Sequence, residues 1–127
     1  MDKILVVQDS ISINTLLKFR LESAGFYVKS VETGEEGVKE ATETPYDLIL
    51  LDYRLPGING IEVCTTLKSQ NKTKVVPIVF LSATEEDEII PLTKKAGADG
   101  FISLPLKGQE FIEELKRLIK ERKKLET

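Results

Sequence analysis

The chain has 127 residues, of which 41% are hydrophobic and 31% are charged, and its formal net charge is −3. A chain of this length can bury one core without a disulfide or a metal, and its weakly acidic balance gives no electrostatic reason to expect nucleic-acid binding by the body of the domain. Histidine is absent, which excludes a histidine-based catalytic triad, a histidine-ligated zinc site and a phosphohistidine carrier.

The sequence predicts a single cytoplasmic domain over residues 1–127. Its one cysteine, Cys64, cannot form an internal disulfide, and its helical spacing from Ile61 and Leu67 favours a small buried side chain over a redox sensor. Residues 1–3 lead directly into a strand-like run, without the pattern of a signal peptide, and no apolar run is long enough to cross a bilayer. We therefore expect no membrane partner.

Five short apolar runs predict five β-strands, at residues 4–7, 26–31, 48–51, 78–81 and 100–103. The first, third and fourth runs are continuous apolar stretches, which is typical of strands that helices cover on both faces. The second run is more broken, as expected of an edge strand.

Amphipathic segments between these runs predict five helices. Their patterns cover residues 13–21, 37–41, 61–67, about 86–96 and 111–119. Pro91 falls inside the fourth pattern, which favours a helix that starts close to it, because proline fits the first turn of a helix. Alternating strands and helices with right-handed crossovers predict a doubly wound α/β domain, whose sites lie at the carboxyl ends of the strands.

Two aspartates, Asp9 and Asp52, follow the first and third apolar runs. Each one alone is explained as a capping or loop residue, but if the two strands are neighbours both carboxylates meet in one cleft. Two carboxylates repel each other, and oxygen-only ligands suit Mg²⁺ or Mn²⁺. With such a metal, one carboxylate can act as a nucleophile toward a phosphoryl group.

Over essentially its full length, the sequence resembles the receiver domain of two-component response regulators. The resemblance is carried by the order and spacing of ILVVQDS (4–10), DLILLDYRLPGING (47–60), PIVFLSA (77–83) and AGADGFISLP (96–105). It implies a flavodoxin-like (βα)5 sandwich with a five-stranded parallel sheet in the order 2-1-3-4-5 and helices on both faces.

The same resemblance implies roles for individual residues. Asp52 is similar to the phosphorylated aspartate, and the metal ligands implied are Asp9, Asp52 and the backbone carbonyl of Arg54. Ser82 corresponds to the hydroxyl that contacts the phosphoryl group, and Phe101 to the family's switching aromatic residue. The proline that follows residue 104 stands where the family usually has a cis proline.

Two positions depart from the family pattern. Gln8 stands where receivers have a first acidic residue, and Leu104 stands where they have a lysine that pairs with the phosphoryl group. Gln8 can still bind a metal-bound water, so we expect Mg²⁺ binding to be weakened. Leu104 cannot donate a hydrogen bond or supply a charge, so the phosphorylated state loses a strong contact. Lys107 and Arg54 are the nearby cations in the sequence.

The leading hypothesis is a receiver that accepts a phosphoryl group on Asp52 from a partner histidine kinase or phosphotransfer protein. It is not an enzyme beyond catalysing its own phosphorylation and dephosphorylation. Phosphorylation would switch the face around the fourth helix, fifth strand and fifth helix toward a downstream output protein or domain. The alternative is a degenerate receiver that binds proteins independently of phosphorylation, for which Leu104 and Gln8 are the evidence. Monomer and homodimer are both left open.

Two other functions have weaker support. A haloacid-dehalogenase-type phosphatase would need a second aspartate where Arg54 stands. A flavin carrier would need a loop that accepts the flavin phosphate, but the loop after the first strand has no glycine and Asp9 would repel the phosphate. The basic residues between 116 and 124 are explained as a solvated helix end and not as a nucleic-acid site.

Overall fold

The computed structural model describes residues 1–82, 89–106 and 108–125. Strands and helices alternate along the chain as β1 (Lys3–Val7), α1 (Ile11–Ser23), β2 (Tyr27–Val31), α2 (Gly34–Glu43), β3 (Leu48–Asp52), α3 (Gly60–Ser69), β4 (Ile78–Ser82), α4 (Ile89–Lys95), β5 (Gly100–Ser103) and α5 (Glu110–Leu125). All neighbouring strands are parallel, in the order β2-β1-β3-β4-β5. The predicted fold class and strand order are confirmed.

Both faces of the sheet are buried, which explains the continuous apolar runs. On β3, Leu48 and Leu50 pack under α1 and α5, while Ile49 and Leu51 pack under α2 and α3. Successive side chains of a strand point to opposite faces, so a strand covered on both sides must be apolar at every position. Burying each of these leucines and isoleucines contributes roughly 1.5–3 kcal/mol.

Most element boundaries differ from the predicted ones by one or more residues, and two of these differences have clear local reasons. Strand β2 begins at Tyr27, because Phe26 is buried and its N–H donates to the carbonyl of Leu21 at 3.1 Å, at the end of α1. Helix α2 begins earlier than residue 37, because Thr33 caps it. The Thr33 hydroxyl accepts from the N–H of Glu36 at 3.1 Å and donates to its carboxylate at 3.0 Å.

Helix α4 is described from Ile89, with Pro91 two residues later. The interpretation that this helix starts close to Pro91 stays a prediction. The earlier part of the predicted helix, residues 86–88, lies outside the described residues. Cys64 is buried on α3, as expected. In the described part of the chain, no helix combines the length and apolar character that crossing a membrane requires.

Candidate functional site

The carboxyl ends of β1, β3, β4 and β5 lie along one edge of the sheet. Strands β1 and β3 run in register with Val7 beside Leu51, and Asp52 lies beside Leu81 of β4. The register continues with Ser82 beside Ser103 of β5. The predicted site residues that follow these strands are therefore brought to the same edge.

Asp52 is the last residue of β3 and is half-buried. The pKa of its carboxyl group is raised to about 6, mainly by burial and in smaller part by the nearby negative charge of Asp9. The backbone N–H of Arg54, which donates to Oδ1 at 3.3 Å, opposes this shift, as do the Gln8 side chain and the N–H of Tyr53. Asp52 is thus a carboxylate whose negative charge is only partly compensated by the protein.

Asp9 is exposed, in the connection between β1 and α1. The next residue, Ser10, caps α1, because its side chain accepts a hydrogen bond from the N–H of Ile13 at 3.4 Å. This cap fixes the residue at which helix α1 begins. Asp9 lies close enough to Asp52 for the two carboxylates to repel each other, as the sequence predicts for neighbouring strands.

Gln8 is buried at the end of β1, with 1% of its surface exposed. Its Oε1 accepts a hydrogen bond from the N–H of Ser10 at 3.0 Å. Asn14 on α1 supports it from the other side, since Asn14 Nδ2 donates to the Gln8 carbonyl at 2.7 Å. This contact of Asn14 was not predicted from the sequence. A polar residue in the first turn of a helix beside a buried strand end is the signal that points to such a contact.

The β4 and β5 side of the site contains Ser82 and Leu104. Ser82 is 2% exposed, and its carbonyl accepts a hydrogen bond from the N–H of Leu104 at 2.8 Å. The Leu104–Pro105 peptide bond is cis, in agreement with the expectation for this proline. The Leu104 side chain packs against the core under α1 and α5 and lines a cavity together with Ile13. Lys107, one of the two nearby cations, lies outside the described residues.

Phe101 and Arg54 are two further residues named in the sequence prediction. Phe101 is half-buried against the core under α2 and α3. The Arg54 guanidinium carbon lies 5.9 Å from the centroid of the Tyr53 ring, and this ring lies at a tilt against Phe80, with 6.5 Å between the centroids. The chain after Asp52 is therefore packed down onto the sheet by an aromatic contact.

Gly60, the first residue of α3, lies directly against the backbone of Asp52. A Cβ atom at this position would lie 2.4 Å from the carbonyl oxygen of Asp52. The N–H of Gly60 donates to the carbonyl of Tyr53 at 3.1 Å, which closes the loop after β3. Sequence reasoning identifies only a turn and a helix start at Asn59-Gly60. The close approach depends on tertiary packing and has no separate signal in the sequence.

The donor groups at this edge fit a hard divalent cation. Two carboxylates, Asp9 and Asp52, lie close enough to repel each other. Within the described residues no three or more His, Cys, Asp or Glu side chains form a metal-binding group. Mg²⁺ commonly binds through one or two carboxylates and keeps several waters, so the site suits Mg²⁺ better than metals that need a full protein cage.

The raised pKa of Asp52 predicts a pH-dependent stability change in Asp52→Asn. The folded-state value of about 6 exceeds the ordinary 3.8, so protonation of Asp52 stabilises the fold below about pH 4 and this contribution is lost as pH rises through 6. Without divalent cations, we expect Asp52→Asn to raise the free energy of unfolding by about 1–2 kcal/mol at pH 7.5, after a reduction for partial exposure. The gain should vanish near pH 4.

Urea unfolding of the wild type and Asp52→Asn between pH 4 and 8 measures this difference. Asp99→Asn is a suitable control, because Asp99 lies on the opposite edge of the sheet and pairs with Lys68 at 3.0 Å, so the substitution should destabilise the protein. A gain in Asp52→Asn that stays constant over the whole pH range would show that the buried charge of Asp52 is not its cause.

Comparison with known proteins gives a family and several curated relatives. A sequence model of the response regulator receiver domain matches residues 4–116. The phosphate regulon transcriptional regulatory protein PhoB of Rhizobium meliloti strain 1021 is 33% identical over 121 residues, which cover 95% of this chain and 53% of PhoB. The alkaline phosphatase synthesis transcriptional regulatory protein PhoP of Bacillus subtilis strain 168 is 39% identical over 118 residues, which cover 93% of this chain and 48% of PhoP. The chain spans about half the length of the curated relatives it matches.

Solved structures of similar length agree with this family. The chemotaxis protein CheY4 of Vibrio cholerae superposes with a TM-score of 0.87 at 30% identity, covering 93% of this chain and 98% of CheY4. The receiver domain of the sensor histidine kinase PA1611 from Pseudomonas aeruginosa PAO1, described with a magnesium ion coordinated in its active site cleft, has a TM-score of 0.88 at 30% identity and covers 94% of this chain and 98% of that one. The matched parts of these proteins are receiver domains of signalling proteins, which are not a classical enzyme family, and they favour a signalling receiver over a phosphorylation-independent module. The chain belongs to the response regulator receiver domain family.

Proposed function

We propose that the domain accepts a phosphoryl group on Asp52. The observation that carries this proposal is a half-buried carboxylate at the end of β3, with Asp9 beside it and the end of β4 next to it in register. An Asp52 carboxylate oxygen attacks the phosphorus of a partner's phosphohistidine. The P–O bond to Asp52 forms, the P–N bond to the imidazole breaks, and the imidazole leaves with the electron pair.

The residues around Asp52 would assist this transfer. Asp9, Asp52 and the backbone carbonyl of Arg54 would hold Mg²⁺, with Gln8 contributing through a water. When bound, Mg²⁺ neutralises charge on the phosphoryl oxygens. The Ser82 hydroxyl would contact the phosphoryl group. We infer weaker Mg²⁺ binding than in a site with three acids, because only two carboxylates are present here. The same groups would support autophosphorylation and hydrolysis of the aspartyl phosphate.

The proposed switch involves Phe101. A small cavity of about 90 Å³ lies between α4 and β5, and it is lined by residues that include Phe101, Ile90 and Thr93. The Phe101 ring therefore has space beside it and can change its position there. We propose that phosphorylation biases this packing and so changes the face formed by α4, β5 and α5, to which an output protein or domain binds.

An apolar surface near the cleft supports a helical phosphodonor partner. On α1, Ile11 is 76% exposed and Phe19 is 68% exposed. Beside them lies a cavity of about 320 Å³, lined by Ile13, Leu16, Leu104, Pro105 and Leu106. Exposed apolar patches next to a reactive group are typical of protein-binding sites. We propose that a histidine kinase or phosphotransfer protein in the cytoplasm docks here and presents its phosphohistidine to Asp52.

The proposal is tested by intact-protein mass spectrometry after incubation with acetyl phosphate, with and without Mg²⁺. We expect a Mg²⁺-dependent phosphoryl adduct on the wild type and none on Asp52→Asn. Asp47→Asn is the matched control: Asp47 precedes β3 at the opposite edge of the sheet, so this variant should be phosphorylated like the wild type. A folded wild-type sample that forms no adduct at any Mg²⁺ concentration would contradict the proposal and favour a phosphorylation-independent binding module.

A further inference from the structure

The buried Gln8 side chain has a hydrogen-bond donor that is not satisfied by a bond of ordinary length. Its Nε2 atom is buried and makes no such bond among the described residues, although the Gln8 side chain lies close enough to Asp52 to favour the charged carboxylate. An unpaired buried amide donor costs roughly 1–3 kcal/mol, so such groups usually have a function or a ligand. Gln8 is 1% exposed, so water in the bulk solvent does not satisfy this donor.

The orientation of the Gln8 amide is fixed by its surroundings. Its Oε1 accepts from the backbone N–H of Ser10 at 3.0 Å. Rotating the amide by 180° would place two donors against each other, because a backbone N–H can only donate. Nε2 is therefore the atom that points away from Ser10, and its orientation does not depend on an arbitrary choice between nitrogen and oxygen.

The unpaired donor lies on the same face of the sheet as Asp52. Gln8 follows Ile4 and Val6 on β1, and Asp52 follows Leu48 and Leu50 on β3, and all four of these apolar side chains pack under α1 and α5. Continuing the register by one residue beyond Val7 and Leu51 places Gln8 beside Asp52. The Gln8 side chain also favours the charged form of Asp52.

On the β4 and β5 side of the cleft, Leu104 stands where the family has the lysine that holds a phosphoryl group. Leu104 supplies neither charge nor a donor, and its side chain packs against the apolar core and lines a cavity together with Ile13. A phosphoryl group on Asp52 would bring three oxygen atoms, each an acceptor, to the place that Nε2 faces. A fixed neutral donor can then satisfy one of them.

We propose that Gln8 is a phosphoryl-binding residue, which donates a hydrogen bond from Nε2 to the phosphoryl group carried by Asp52. This role rests on the proposed phosphoacceptor function. It gives the glutamine a purpose that an acidic residue could not fulfil, because a carboxylate offers only acceptors toward the phosphoryl oxygens.

Binding of beryllofluoride, a mimic of the phosphoryl group, tests this role at saturating Mg²⁺. We expect Gln8→Met to weaken beryllofluoride binding about tenfold, the equivalent of one hydrogen bond. Gln8→Glu should tighten the binding of Mg²⁺ alone, because it adds a carboxylate, and yet weaken beryllofluoride binding by at least as much as Gln8→Met. In the wild type, the side-chain amide NMR signal of Gln8 should shift when beryllofluoride is added.

Gln70→Glu is the matched control, since it makes the same chemical change far from the cleft. Gln70 Oε1 accepts from the hydroxyls of Thr42 and Thr73, at 3.0 and 3.2 Å, and a glutamate keeps both contacts. This variant should bind beryllofluoride like the wild type. Gln8→Glu also keeps its contact with Ser10, so it serves if Gln8→Met fails to fold.

Two outcomes overturn the role of Gln8. One is beryllofluoride binding by the folded Gln8 variants that stays within about twofold of the wild type, and the other is a Gln8 amide signal that does not move. Both leave the phosphoacceptor function intact. A wild type that binds no beryllofluoride and forms no adduct with acetyl phosphate overturns the phosphoacceptor function itself, and the role of Gln8 with it.

Discussion

Gly60→Ala is expected to lower the free energy of unfolding by about 3 kcal/mol. The added methyl group would lie 2.4 Å from the carbonyl oxygen of Asp52, 3.0 Å from a ring carbon of Phe80 and 3.1 Å from the Cα atom of Tyr53. Two of these contacts are with backbone atoms, so rotation of a side chain cannot relieve them. The connection between β3 and α3 must move, and the backbone of Asp52 moves with it.

The same displacement should impair phosphorylation of Asp52. We expect urea unfolding to report the loss of stability, and the folded fraction of Gly60→Ala to form the acetyl phosphate adduct more slowly than the wild type. Gly100→Ala is the matched control on β5. Its added methyl group would make only ordinary contacts, the nearest at 3.4 Å from a Val79 methyl group, so we expect a change within about 0.5 kcal/mol. Equal losses in the two variants would contradict the steric explanation.

The fold could be predicted because burial on both faces leaves a direct pattern in the sequence. Residues 48–51 and 78–81 are apolar at every position, and the structure places their side chains alternately in the two layers of the core. The five alternating units then restrict the topology to right-handed crossovers. Strand ends were predictable to within one residue, since polar or turn residues follow each apolar run.

Helix faces were less predictable, and α1 shows the reason. Its apolar pattern includes Leu16, Leu17, Phe19 and Leu21, but only Leu17 and Leu21 are buried in the core. These two are four residues apart and form the buried stripe, whereas Phe19 lies on the exposed side. Hydrophobicity alone does not distinguish an apolar side chain that packs in the core from one that is available to a partner.

The candidate site could be located from the sequence, but its internal contacts could not. Two aspartates at strand ends identify the edge of the sheet. The orientation of the Gln8 amide depends on one backbone N–H, that of Ser10, and the direction of Leu104 depends on apolar neighbours from α1. Such contacts join residues on different elements, and neither spacing nor composition encodes them.

Leu104→Lys is expected to tighten beryllofluoride binding about 10- to 100-fold at saturating Mg²⁺. A charge-assisted hydrogen bond to a phosphoryl-like anion contributes about 1.5–3 kcal/mol. Residue 104 is held beside the end of β4, because its N–H donates to the Ser82 carbonyl at 2.8 Å. A lysine there can lay its aliphatic part along Ile13 and extend its ammonium group toward the cleft. We expect a stability loss of about 1–2 kcal/mol from the reduced apolar burial.

Leu106→Lys is the control that separates the gain in beryllofluoride affinity from the loss of stability. Leu106 packs against the same core and lines the same apolar cavity, but it follows the cis peptide bond and is not held at the end of β4. This variant should lose similar stability without any gain in beryllofluoride affinity, as measured by titration and urea unfolding. An equal gain in both variants would mean that a general increase in positive charge, and not a contact in the cleft, is the cause.

Combining Leu104→Lys with Gln8→Met tests whether the two donors serve the same bound group. The phosphoryl group needs hydrogen-bond donors, and with Leu104 in place of the family's lysine the Gln8 amide is proposed to supply a neutral one. Once an ammonium group is present, removal of the amide should cost less than the about tenfold loss expected in the wild-type background. Strict additivity of the two substitutions would instead mean that the two groups bind separate oxygens and act independently, so the amide would not be a substitute for the missing lysine.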